Sequence, residues 1–453
     1  MILTVLDNAQ VDTLHRASLR ILGEIGVLVP HADMRARFRD AGAAVDEAAA
    51  RVRIPEALVM RSLDQAGKSF TVYGRDRSRT AVFGRGRRSY NSISGEAFWI
   101  DDISGDRRYA TLADVATAAR LGDALEGITI VGAMSDPHEL PPAYRCVEVA
   151  AMLLRNTTKP IGFWFHDRAS ARYLVDLFIA AAGGEDEAAR FPITHPLLEP
   201  ISPLRFPHNG IDLLYETARI NMPVAIGPMA QVGMSAPATL AATLAQENAE
   251  ILAGVCITQL IFAGPEQALM AVAMTQMGKR YGLPVYINVG LTDSKVVDAQ
   301  AGMEAGATLV CGALAGADIF GHLGICGVDQ ATSLDMLVMQ NELIGYVERI
   351  TRGVRMDEEA IAFDVLREVG PGGTFIDRDH TAANFRKELW FPRLLDREFY
   401  DAWAAAGSPT MADRCRREKE RLLAEHRVTP LPEDLDQEVT RIVTSARRDL
   451  QTP

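Results

Sequence analysis

Nine residues stand just past apolar runs in this chain: Asp136, His166, Glu199, Met229, Gln231, Asn288, Asp293, Lys295 and His322. Mostly polar residues at the carboxyl ends of buried strands are where a parallel α/β sheet places its ligand and its chemistry. Carboxylates, imidazoles and amides in that position suit the holding of a small charged molecule.

Each candidate has a plainer reading beside the functional one. In Thr292-Asp293-Ser294-Lys295, a strand ends and a helix is expected to start, so Asp293 or Ser294 can cap it. Lys295 is unfavourable beside the positive end of that helix, which points to a pairing with Asp298 or with an anionic ligand. A Schiff-base role for it rests on one lysine alone. His322, between glycines in GHLG, is either a satisfied core residue or a donor to a substrate carboxylate. The run Phe163-Trp164-Phe165-His166 puts Phe163 and Phe165 on one strand face, expected to pack in the core, and Trp164 and His166 on the other. Trp164, Tyr90 and Trp99 are aromatic faces on which a cation can stack, and Met229 can line the same pocket. His322 and Cys326, with Cys311 and Cys256, raise a zinc site, but no CxxC, HxC or HExxH spacing supports one, and no metal is expected.

The elements that must position these residues divide the chain in three. Residues 1–110 read as an α+β cap, with a helix over Val11–Gly26, another near Asp33–Ala41, and strand-like runs at Ser69–Gly74, Ala81–Phe83 and Ala97–Asp101. Over 111–388, continuous apolar runs (GITIVGAMSD, KPIGFWFHD, FPITHPLLEPISPL, MPVAIGPMAQVG, LPVYINVGLTD, ADIFGHLG) alternate with helical stretches such as Pro237–Gly254 and Ser333–Gly353. Continuous runs suit strands buried on both faces, and the alternation predicts a parallel sheet. With weaker candidates at Val255–Gly264 and Thr374–Asp377 the strands number eight, which predicts a closed (β/α)8 TIM-type barrel. Residues 389–453 read as a charged helical extension.

Composition narrows the function. The formal net charge is −12 with no basic stripe, which argues against nucleic acid. The first residues lack the layout of a signal peptide, and no apolar stretch is long enough to span a bilayer. Five scattered cysteines point to a reducing compartment, so a cytoplasmic enzyme is expected, with a homo-oligomer compatible with its tail helices.

Long ordered segments carry a resemblance over nearly the whole chain. They are LHRASLRILGEIGV, YGRD at 73–76, SGDRRYATLADVATAARLGDAL at 104–125, ISPLRF at 201–206, IGPMAQVGMSAPATLAATLAQENAEILAG, YGLPVYINVGLTDSKVVDAQAG, SLDMLVMQNELIGYVERITRG and HTAANFRKELWFPRLLDREFYDAW. The chain resembles the trimethylamine methyltransferase family, in particular its members without pyrrolysine that act on glycine betaine and similar quaternary amines. That resemblance implies a barrel holding a small methylated amine, and a methyl group passed to the cob(I)alamin of a separate corrinoid protein, with no cofactor held tightly by this chain. Tetrahydrofolate as the acceptor, or a homologue that binds a corrinoid protein without catalysis, are the alternatives.

Two departures from the family pattern bear on this. Pyrrolysine, used by the trimethylamine enzymes, is absent, which favours a quaternary amine. Between ITQL and GPEQALM the family has a further strand and a glycine-rich loop, and here Ile261–Gly264 alone fills the gap. The expectation is a barrel altered on that side, with a changed pocket or lost activity.

Overall fold

A computed structural model describes residues 4–102, 105–261, 272–327, 329–371 and 373–451. The fold is mixed α/β, and its centre is an incomplete ring of parallel strands. Seven of them are seen among the described residues: Ser89–Ser92, Val131–Gly132, Ile161–Gly162, Leu197–Leu198, Ala225–Ile226, Tyr286–Asn288 and Ile319–Leu323.

The pairing can be followed around most of the ring. Ile319–Leu323 lies between Tyr286–Asn288 and Ser89–Ser92, with Phe320 opposite Ile287 on one side and Tyr90 on the other. Asn91 bridges to Ile130, and Val131–Gly132 pairs with Ile161–Gly162. The Ile161 amide donates to the Ile193 carbonyl at 3.1 Å, and Leu197–Leu198 pairs with Ala225–Ile226. Among the described residues no ladder joins Ala225–Ile226 to Tyr286–Asn288, so the predicted closure into an eight-stranded barrel is not seen.

Neither weak strand candidate forms a strand among the described residues. Val255–Ile261 continues the helix Leu240–Ile261, and residues 262–264 lie outside the described residues, as does most of the segment following ITQL. The sequence predicts a helix stop at Gly254, but that glycine serves packing instead. A Cβ there would come within 2.7 Å of Ile226, so its absence lets the helix lie directly on the strand. The helix is buried on nearly every side, which is why its apolar run VCITQLI reads equally well as strand or helix. Thr374–Asp377 forms a bend and turn on an exposed surface rather than a strand.

The remaining elements wrap the ring. Helix Asn8–Arg20, started by a reciprocal Asp7–Gln10 capping box, packs on Leu240–Ile261. Val27–Leu28, Ala44–Asp46 and Arg51–Arg53 form a small antiparallel sheet, and Phe70–Tyr73 pairs with Thr80–Phe83 as a hairpin. Helices Met411–Glu425 and Glu433–Leu450 return over the ring helices, so the charged tail packs against the body. Lys419 ties it down through Asp102 at 2.6 Å and Asp335 at 2.8 Å.

Candidate active site

A cavity of about 130 Å³ opens at the carboxyl ends of the ring strands. That is close to the size of engineered apolar cavities that hold a benzene-sized molecule, about six heavy atoms. A small ligand fits this space.

Each strand contributes. Ser89–Ser92 supplies Asn91 and leads into Ser94 and Glu96. Ile161–Gly162 leads into Phe163 and Trp164, whose indole Nε1 donates to the Gly95 carbonyl at 2.5 Å. That bond fixes the ring edge, and the absent Cβ of Gly95, which would lie 3.1 Å from the indole, lets the two segments close up. Leu197–Leu198 is flanked by His195 and Glu199, and Ala225–Ile226 is followed by Met229. Tyr286 and Asn288 come from one face of their strand, two residues apart.

His322 reaches the cavity through a local irregularity. The register between Ile319–Leu323 and Ser89–Ser92 shifts between Phe320 and Leu323, as in a β-bulge, and His322 has φ +72°. Left-handed backbone at a non-glycine residue costs about 1–3 kcal/mol and persists only where the surroundings enforce it. Bulges of this kind re-aim side chains next to active sites. Gly321 makes room in the same place, since a Cβ there would clash with the Tyr286 hydroxyl. The Tyr286 and His322 rings meet edge to face at 6.1 Å between centroids.

The electrostatics are one-sided. Three carboxylates, Glu96, Glu199 and Asp329, line the cavity, and no lysine or arginine does among the described residues. Burial pushes the Glu96 carboxyl up to about 8, with Asp329 and then Glu199 adding like-charge repulsion. Burial also raises Glu199, next to Asp329, and raises Asp329, next to Asp293. Both imidazoles are kept neutral by burial, which lowers His322 and His195 to about 4. The Asn91 amide donates to the Tyr286 hydroxyl at 3.4 Å, while its own Oδ1, the Asp329 Oδ1 and the His322 Nδ1 have no hydrogen-bond partner.

Of the residues picked from sequence, the structure brings Trp164, Glu199, Met229, Asn288 and His322 together around this space. It places the others outside the cavity lining, each for a local reason. Tyr90 points outward, stacks on Phe320 and donates its hydroxyl to Glu348. His166 is held by the Pro142 carbonyl at 3.1 Å. Gln231 sits on the exposed loop after Ala225–Ile226, where its amide donates to Ser235 Oγ. Asp293 is exposed, and the exposed Lys295 donates to its carbonyl at 2.9 Å rather than pairing with Asp298. Asp298, and not Asp293 or Ser294, caps the following helix by accepting from the Ala301 amide at 2.9 Å. Asp136 pairs with Arg145, and Trp99 is buried in the paired segment Phe98–Ile100.

Sequence reasoning missed Glu96, Asn91, Tyr286, His195 and Asp329. For Tyr286 the signal was present: it lies two residues before Asn288 on the same strand and therefore shares its face. Asn91 lies in, and Glu96 follows, a strand, Ser-Tyr-Asn-Ser, that is buried at all four positions yet has no apolar run. Among the described residues no three His, Cys, Asp or Glu side chains converge as a metal site. Burial raises the Cys256 and Cys326 thiols to about 12.

Comparison with known proteins gives the chain relatives over its full length. The sequence profile described as trimethylamine methyltransferase (MTTB) matches residues 1–264 and 261–451, two stretches that overlap at residues 261–264. The chain is 29% identical to the glycine betaine methyltransferase of Desulfitobacterium hafniense strain Y51, over 98% of each protein. It is 30% identical to the trimethylamine methyltransferase MttB of Methanosarcina barkeri, over 96% of this chain and 94% of that one. Among solved structures, the monomethylamine methyltransferase of Methanosarcina barkeri superposes with a TM-score of 0.45 at 12% identity, over 98% of this chain and 92% of that one.

Proposed function

Because the chain belongs to the trimethylamine methyltransferase family, we propose that it removes a methyl group from a small quaternary amine and delivers it to the cob(I)alamin of a separate corrinoid protein. The observation that carries this reading is the cavity itself: three carboxylates and the faces of Trp164, Phe163 and Tyr286, with no lysine or arginine among the described lining residues. A quaternary ammonium cannot donate a hydrogen bond, so it is held by aromatic faces and by unpaired negative charge.

The rest of the chemistry asks little of this chain. Cob(I)alamin supplies the two-electron nucleophile. The breaking C–N bond returns its electron pair to nitrogen, which leaves as a neutral tertiary amine, so no side chain need donate a proton. What these residues do is strip water from the cation, hold one methyl toward the opening, and exclude competing nucleophiles. Neutral His322 and the Tyr286 hydroxyl can orient the arm of the substrate that does not react. The loop after Ala225–Ile226 exposes Met229, Val232 and Met234, and Leu240 follows at the next helix, an apolar rim suited to a docking protein.

The test mixes purified chain, a reduced corrinoid protein and a panel of quaternary amines, and follows the cobalt absorbance. Methylation that needs all three components together is the expected result. Methyl transfer to tetrahydrofolate without any corrinoid protein would contradict it, and tight corrinoid-protein binding with no turnover would mark the chain as a non-catalytic homologue.

A further inference from the structure

Quaternary amines differ in the arm they carry besides their methyl groups, and this cavity reads that arm by charge and by hydrogen bonding. An arm ending in a carboxylate would bring a further negative charge against Glu199 and Asp329, and against Glu96 once that carboxyl ionises near 8. Elsewhere in proteins such a carboxylate is met by arginine or lysine, in charge-assisted bonds. None lines this space among the described residues, and Lys295, the nearest candidate by sequence, is exposed and bonded to the Asp293 carbonyl.

The neutral groups point the same way. Asn91 lines the cavity and is only 6% exposed, one N–H of its side-chain amide is given to Tyr286, and its buried Oδ1 has no partner. An unpartnered buried acceptor is unfavourable until a donor reaches it. A carboxylate arm brings acceptors only, whereas a hydroxyl arm brings a donor. The volume of about 130 Å³ suits a short arm.

Resting on the quaternary-amine reading above, we propose that the cavity takes an ammonium whose remaining arm is short and ends in a neutral hydroxyl, an amino alcohol of the choline type, and discriminates against arms ending in a carboxylate. Glu199 and Asp329, joined by Glu96 where it is ionised, supply the charge that attracts the ammonium and repels the carboxylate. Asn91 Oδ1 is the acceptor for the hydroxyl.

The test is calorimetric titration of the full chain with choline, glycine betaine and tetramethylammonium at pH 8. Choline should bind at least about tenfold more tightly than glycine betaine, and about fivefold to tenfold more tightly than tetramethylammonium, which lacks the hydroxyl; one hydrogen bond of ordinary strength gives a factor of that size. Asn91→Ala should erase the advantage of choline over tetramethylammonium, and Glu96→Gln should narrow its advantage over glycine betaine, with the fold of each variant checked by circular dichroism. Glycine betaine binding as tightly as choline or more tightly would overturn this inference and leave the proposed function standing. Failure of all three ammonium compounds to bind would overturn both.

Discussion

The two ends of the strand ring treat charge in opposite ways. At the base, Lys159 is buried and its ammonium donates to the carbonyls of Gly122, Leu125 and Ile128 at 2.7–2.9 Å. Beside it Asp123 accepts from Thr157 Oγ1 and from the Thr158 amide, both at 2.7 Å, and meets His426 at 2.8 Å. At the mouth, Glu96, Glu199 and Asp329 face a cavity without a cation among the described lining residues. Charge at the base is neutralised from within the chain, so it serves architecture. Charge at the mouth is left for something that arrives from outside, as expected of the functional face of such a ring.

The contrast can be broken at either end. Lys159→Met should have the largest effect, leaving three buried carbonyls without donors and costing about 3 kcal/mol or more in denaturant titration. Ammonium affinity per folded molecule should not change, and a loss below about 1 kcal/mol would show that Lys159 does not hold the base. Glu96→Gln should do the reverse. Above pH 8, where the Glu96 carboxyl is ionised, it should weaken choline binding about tenfold to a hundredfold, as loss of a desolvated charge partner does, and should not destabilise the protein.

The pH dependence follows from the same residue. The Glu96 carboxyl stays protonated in the folded chain up to about 8, while in the unfolded chain it ionises near 4.5. The unfolded state therefore loses its proton first, and the stability associated with this group is present below about 4.5 and is lost as pH rises toward 8. A melting temperature that falls across this window, with a shallower fall in Glu96→Gln, is the expected record. Identical slopes for the two proteins would show that Glu96 does not titrate in this range.

Smaller effects sharpen the boundary of the site. His322→Gly should leave stability unchanged or slightly raised, because glycine adopts φ +72° without strain, while ligand affinity drops several-fold. Unaltered affinity would make His322 a structural residue only. Lys295→Met should change stability by less than about 0.5 kcal/mol and leave binding as it was, since the side chain is exposed. A marked loss of affinity would draw the site outward to the 293–295 loop.

Much of this fold is legible from residue pattern, and the failures have physical causes. The alternation of apolar runs and helices marks the parallel strands wherever the strand is apolar, and Ser333 and Gly353 bound their helix as their types suggest. Ser89–Ser92 escapes because its residues are polar and buried, satisfied by neighbours that only the fold brings near. Gly254 misleads because a glycine that admits a neighbouring strand looks the same in sequence as one that ends a helix. Lys295 misleads because its helix begins at Ala299, four residues later than the Asp293–Ser294 cap implies. Glu96 and Asp329 stay hidden because carboxylates in Gly-rich turns usually face water, and only the packing of the fold sets these two against Glu199.

Unpaired carboxylates at the mouth should read positive charge, and the most direct test compares choline with its uncharged carbon analogue, 3,3-dimethylbutan-1-ol. The two have nearly the same shape and the same hydroxyl, and they differ in charge. Titrated into the same protein at pH 8, choline should bind at least about tenfold more tightly. Equal affinities would mean that the cavity recognises shape alone, and that Glu96, Glu199 and Asp329 take no part in recognition.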